Sequence, residues 1–125
     1  MPNPGLIKTK TADGAVAARR IVTPGASAGT VAQAAAATDA LVGVSERAGG
    51  AVAGGRIDVI KSGIAQIDAG GVIVAGDPVT ADAAGKAVTA VPAAGANVRI
   101  IGFAEEDAAN GDYFDVLIAP GVMQG

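Results

Sequence analysis

Three stretches of the sequence carry residue types that could do chemistry. The pair Lys61-Ser62 could form a base and a nucleophile, and the acidic stretch "EEDAANGD", from Glu105 to Asp112, could hold a hard cation such as calcium. Glycine-rich segments, among them Gly85-Lys86, invite comparison with phosphate-binding loops. Each of these interpretations depends on spacing and on the structural element that would position the residues.

None of the three stretches meets the requirements of its chemistry. Lys61 and Ser62 would point to opposite faces of a strand. The acidic stretch lacks EF-hand spacing, which favours a solvated loop. Lys86 is followed by Ala87, where a P-loop needs serine or threonine. The chain also contains no histidine and no cysteine, so the common general base, thiol nucleophile and transition-metal ligands are missing. We therefore expect no catalytic residue, no cofactor, no metal site and no small-molecule substrate.

Composition limits the partners in a similar way. The net charge is −3 and the only aromatic residues are Phe103, Tyr113 and Phe114, so a basic track with stacking aromatics is not visible and nucleic acid is not an expected partner. The longest charge-free run, residues 21–38, is interrupted by Pro24, Gly25 and Gly29, which argues against a membrane span.

The elements that must position these residues are predicted to be strands. Valine and isoleucine supply 25 residues and leucine only 3, a balance typical of pleated sheet. Nineteen glycines and six prolines spread along the chain indicate many tight turns. We expect a small single-domain, all-β barrel or sandwich of about ten short strands, near residues 16–23, 30–36, 41–47, 56–61, 63–68, 71–75, 78–81, 86–91, 98–105 and 113–119.

The β domain, residues 15–125, is predicted to contain two quasi-repeats, at about 16–68 and 71–124. Leu41-Val42-Gly43 aligns with Ile100-Ile101-Gly102, and Gly54 and Asp58 align with Gly111 and Asp115 after a two-residue contraction. The repeat bears on the alanine run at residues 34–37. Its second copy contains Pro92 and a glycine turn, which favours a strand at 30–36 with a turn at Thr38-Asp39, although a short helix stays open for residues 31–38.

Residues 1–14 are expected to form an extended N-terminal arm. Pro2 and Pro4 favour extended geometry, and the segment has little to pack with. Residues 1–20 carry a local charge of +3, whereas residues 101–125 carry −5. This asymmetry is consistent with a solvated surface or with a basic arm that docks on an acidic neighbour.

The sequence resembles the capsid cement, or head decoration, proteins of tailed bacteriophages. Four segments carry the resemblance: "PGLIKTKTADGAVAARRIVTPG", "VAQAAAATDALVGVSE", "GIAQIDAGGVIVAGDPVTADAAGKAVTA" and "ANVRIIGFAEEDAANGDYFDVLIAPG". The resemblance implies a structural virion protein on the outer capsid surface, made in the host cytoplasm. Such a protein commonly forms homotrimers that clamp neighbouring subunits of the major capsid protein.

The resemblance also indicates where contacts would lie. Residues of the arm are candidates for capsid contact: Pro4, Leu6, Ile7, Lys8 and Lys10. The aromatic residues are candidates for self-association: Phe103, Tyr113 and Phe114. Trimer, dimer and monomer stay open at this stage. A surface module that binds a receptor or glycan is the alternative function, and a nucleotide-binding recombination factor is a more remote one.

Overall fold

The computed structural model describes residues 3–45 and 50–125, and this part of the chain contains eleven strands and no helix. The all-β prediction is therefore confirmed. No helix among the described residues is long and apolar enough to cross a membrane. In chain order the strands are β1 (Asn3–Pro4), β2 (Ile7–Ala12), β3 (Ile21–Pro24), β4 (Thr30–Gln33), β5 (Gly43–Ser45), β6 (Arg56–Ile60), β7 (Gly63–Asp68), β8 (Pro78–Ala81), β9 (Ala87–Thr89), β10 (Asn97–Ala104) and β11 (Tyr113–Gln124).

The strands form a closed barrel and an open sheet. The barrel has the order β2-β4-β3-β5-β6, and the sheet has the order β1-β7-β11-β10-β8-β9. Pairing between the named strands is antiparallel except for β2 and β4, which run parallel at Thr11 with Thr30 and Ala12 with Val31. That short parallel contact closes the barrel.

The two sheets repeat one topology. The antiparallel pairs β3-β4, β3-β5, β5-β6 and β2-β6 of the barrel correspond in order to β8-β9, β8-β10, β10-β11 and β7-β11 of the sheet. Backbone hydrogen bonds also recur. The N–H of Ala12 donates to the carbonyl of Gly55 at 2.8 Å, and the N–H of Ala69 donates to that of Asp112 at 2.7 Å. Both members of the second bond lie 57 positions after the first (12 and 69, 55 and 112).

The two sheets thus contain one repeated arrangement of strands, and its bounds differ from those predicted for the quasi-repeats. The units run from β2 to β6 and from β7 to β11, rather than over residues 16–68 and 71–124. The predicted bounds differ from the observed ones because the first strands of the two units have dissimilar sequences, "IKTKTA" in β2 and "GIAQID" in β7. These two strands take the same place in the topology with different residue patterns, so a sequence alignment does not pair them.

The described residues form two apolar clusters, one inside the barrel and one shared by the two halves. A small cluster fills the barrel: Ala12, Val16, Val22, Val31, Ile57 and Val59. The larger cluster takes Ile21, Val44 and Ile60 from the first half and Ile67, Ile101 and Phe114 from the second. Burial of apolar surface between the halves stabilises both, which agrees with a single small β domain.

Most strand predictions agree with the structure, with local differences. The strand expected at 16–23 begins only at Ile21. The stretch expected as a strand at 71–75 makes only the isolated bridge of Ile73 with Ala108 among the described residues, because Asp77 turns the chain by accepting a hydrogen bond from the Val74 N–H at 3.1 Å. Some predicted positions lie outside the described residues: residues 46 and 47 of the strand expected at 41–47, Gly49 of the first quasi-repeat, and residues 1 and 2 of the arm.

The alanine run is not helical. Strand β4 ends at Gln33, three residues earlier than expected. The carboxylate of Asp39 then accepts hydrogen bonds from the N–H groups of Ala35 at 2.9 Å and Ala36 at 3.2 Å. This side chain satisfies backbone donors that would otherwise begin a helix, and it makes the turn predicted at Thr38-Asp39.

The N-terminal segment differs from the expected arm. Residues 7–12 form β2, which pairs with β6 from Ile7–Ile60 to Thr11–Arg56, and β1 pairs with β7. The expectation that the segment has little to pack with is wrong, because its backbone groups complete the ladder of the barrel. Ala12 is also part of the core.

Candidate functional site

The residues proposed for capsid contact lie along one continuous edge of the molecule. Pro4, on β1, is exposed, and Leu6 is 52% exposed. The N–H of Leu6 donates to the hydroxyl of Ser62 at 2.8 Å, and its carbonyl accepts from the N–H of Lys61 at 2.8 Å. The backbone is thus fixed to the β6–β7 connection, while the Leu6 side chain stays available to a partner.

Strand β2 continues this edge with Ile7, which is 41% exposed, and the exposed Lys8. One side of the β2 backbone pairs with β6 over residues 7–11. On the other side, pairing with β4 begins only at Thr11. Residues 7–10 therefore border an opening in the barrel wall. This part of the set proposed for capsid contact therefore lies on a paired strand rather than on a free arm.

Lys10 differs from the other four residues in the set. It is half-buried and shares the inward-facing register of Ala12. Its side chain lines a cavity at the opening of the barrel together with Lys61. Lys61 was not among the residues predicted for capsid contact, because its neighbour in sequence, Ser62, suggested only a base and a nucleophile. In the structure the Lys61 ammonium group donates to the Val42 carbonyl at 3.1 Å, and Ser62 accepts from Leu6.

The two arginines of the basic N-terminal region bind within the chain. Arg19 lies 2.7 Å and Arg20 3.4 Å from the carboxylate of Asp68, measured nitrogen to oxygen. The guanidinium of Arg19 also lies 5.1 Å from the ring centre of Tyr113, which is within cation–π distance. This cluster connects the β2–β3 loop to the open sheet, so the lysines are the cations of this region that are left for a partner.

The three aromatic residues proposed for self-association separate into two groups. Phe103 is 40% exposed and Tyr113 is 58% exposed, whereas Phe114 is 1% exposed. Phe114 fills the core, so it cannot contact another copy and leaves the set. The reason is strand alternation: Tyr113 and Phe114 are neighbours on β11 and face opposite sides of the sheet.

Phe103 belongs to an apolar stripe across the outer face of the open sheet. It pairs with Leu117 on β11 and with Pro78 on β8, and Leu117 pairs with Ile64 on β7. Leu117 is exposed, and Pro78 and Ile64 are half-buried. Cross-strand neighbours of this kind form a contiguous surface, which we call the outer stripe.

The acidic stretch makes turns. The carboxylate of Asp107 accepts from the Ala75 N–H at 2.8 Å, that of Asp112 from the Ala109 N–H at 3.0 Å, and that of Glu106 from the Asp115 N–H at 2.9 Å. The described residues contain no group of three or more carboxylates placed to hold a metal ion. Glu106 thus connects the loop to β11, Asp107 connects it to the turn at residue 75, and Asp112 bonds within it.

The fold is similar to that of a solved structure, the N base of the head fiber gp8.5 of bacteriophage phi29. The two share 21% sequence identity with a TM-score of 0.68, over 91% of this chain and 93% of that chain. No family model matches the chain, and no curated protein matches it. The likeness shows a common fold across nearly the whole length of both chains. That structure is the base of a phage head fiber, and the sequence resemblance was to phage head decoration proteins.

Proposed function

We propose that the chain is a structural protein of a tailed-phage virion that binds the outer surface of the head. The observation that carries this proposal is the shared fold with the head fiber base, over 91% of this chain and 93% of that one. A sequence without histidine or cysteine is consistent with binding rather than catalysis.

The proposed contact with the major capsid protein uses the edge formed by Pro4, Leu6, Ile7, Lys8 and Lys10. Exposed aliphatic side chains beside lysines suit a partner surface that is acidic with apolar patches. Because β2 is already fixed in the barrel, binding does not require this segment to become ordered, which lowers its entropic cost. Contact with two neighbouring capsid subunits would clamp them together.

Stabilisation of the head follows from mass action. A ligand that binds the assembled shell and not its dissociated subunits shifts the equilibrium toward the shell, and many copies act on one particle. The affinity of one copy therefore need not be high.

Self-association, with a homotrimer as the proposed state, uses the outer stripe and Tyr113. The receptor or glycan alternative draws less support from the structure. It would need an exposed aromatic platform, but Phe114 is buried and the ring of Tyr113 has the Arg19 guanidinium over it.

Co-sedimentation with heads prepared without the chain tests this function. We expect saturable binding at a fixed ratio to capsid subunits, and decorated heads that resist heating better than bare ones. A matched sample of unassembled capsid subunits serves as control and should not bind. Absence of saturable binding to mature heads would refute the proposal.

A further inference from the structure

The opening between β2 and the β3–β4 turn leads into a cavity of about 410 Å³. Its apolar floor is made by Val31, Val42 and Val59, and the turn, residues 24–30, forms one wall. Lys10 and Lys61 complete the lining. The turn is held in place by Asp13, whose carboxylate accepts from the Ala26 N–H at 2.8 Å.

The duplicated unit shows what this space contains in the other copy. Lys10 corresponds to Ile67 and Lys61 to Ile118, each 57 positions later, by the strand register that relates β2-β6 to β7-β11. Both isoleucines are buried and belong to the main core. The second unit, in the open sheet, thus has isoleucine at both places, and the first unit, the barrel, has two lysines and a cavity instead. The architecture of the barrel does not require these lysines.

The charges of the two lysines are not neutralised within the described part of the chain. The ion pairs there are those of Arg19 and Arg20 with Asp68, and the described residues that line the cavity include no carboxylate. Lys61 donates to the Val42 carbonyl, which leaves donors of its ammonium group for another acceptor. Lys8, two residues before Lys10 and on the same face of β2, is an exposed third cation.

We propose that this cavity receives a carboxylate side chain that the major capsid protein presents beside a small apolar group. The two ammonium groups pair with the carboxylate, and the valine floor takes the apolar group. A phosphate would fit less well, because it would place polar oxygens against valines. The inference rests on the proposed function, since it names what the capsid-binding edge recognises.

A small probe tests the cavity without heads. Isovalerate combines a carboxylate with an isopropyl group, and isovaleramide is its neutral counterpart. In amide NMR spectra of the whole chain at low salt, isovalerate should shift signals of residues 24–31, Val42 and Val59 in a saturable manner, and isovaleramide should not. The double variant Lys10→Ile, Lys61→Ile should lose the response and keep its fold, because isoleucine is the residue of the second copy. Equal shifts in wild type and variant would overturn the proposed pocket.

Binding assays with heads distinguish a failure of this inference from a failure of the proposed function. We expect the double variant to bind heads about tenfold more weakly than wild type, a loss typical of an interfacial charge pair, and the single variant Lys10→Glu to bind more weakly still. Lys86→Met is the matched control and should bind as wild type does. If wild type does not bind heads, the proposed function fails. If wild type and the double variant bind equally, the function stands and the carboxylate socket is refuted.

Discussion

The two phenylalanines lie on paired strands of the open sheet, but one is buried and the other is exposed. Phe114 fills the core at 1% exposure, whereas Phe103 lies in the outer stripe at 40%. Truncating the first removes buried area and leaves a cavity. Truncating the second changes only the surface that another copy can contact.

This difference gives a prediction for single residues. Phe103→Ser should leave the midpoint of unfolding within a few degrees of wild type and weaken self-association about thirtyfold, the effect of losing about 2 kcal/mol at an interface. Sedimentation velocity measures the association. Phe114→Ala should instead cost about 3–5 kcal/mol of folding free energy.

Val91→Ser is the control, because Val91 is an exposed valine outside the stripe, and it should alter neither property. Unchanged association of the Phe103 variant would show that the stripe is not the self-association surface.

For single residues, the sequence predicted where glycine is needed better than it predicted which way a side chain faces. Gly43 and Gly102, aligned as repeat partners, are both places where a neighbouring strand comes so close that a Cβ would meet its carbonyl, that of Ile60 and of Leu117 respectively. Alignment alone could identify this requirement for glycine. It could not show that Phe114 faces inward, because "DYFDV" alternates no more clearly in one register than in the other.

Among the elements, β2 is both a structural strand and part of the proposed contact surface. It provides the β2-β6 ladder and the two parallel pairs that close the barrel. The sequence did not predict this strand, because β2 reads as polar along most of its length and the partner that satisfies its backbone, β6, lies about fifty residues away (8 and 59). Nothing local to residues 7–12 indicates that pairing.

Removing β2 tests its structural role. Deletion of residues 3–10 should open the barrel, lower the unfolding midpoint sharply and abolish the hydrogen-exchange protection of the β6 amides that bond to β2, because those groups lose their partners while the pairing of β6 with β5 remains. Protection in β10 should persist better, since its partners lie in the open sheet.

The contrasting variant removes only residues 1 and 2 and should exchange like the full chain. Retained protection in β6 after the larger deletion would show that residues 3–10 are a dispensable arm after all.

In the whole molecule, the two units of like strand topology differ at the positions of Lys10 and Lys61. The second copy is filled by Ile67 and Ile118, and the first opens at Lys10 and Lys61. The composition was sufficient to predict an all-β chain, and the alignment of residues 41–43 with 100–102 and of Asp58 with Asp115 pointed to a repeat. The cavity could not be predicted, because it depends on which lysines the strand register brings together.

A reconstruction of heads saturated with the chain would show directly whether the chain binds the outer surface of the head through the edge that contains β2. We predict density for the chain on the outer surface, between neighbouring capsid subunits, with Leu6, Ile7 and the opening of the barrel facing the shell. Absence of density would contradict binding to the head. A chain that contacts the shell through its β10–β11 side, with β2 exposed to solvent, would contradict the proposed contact edge.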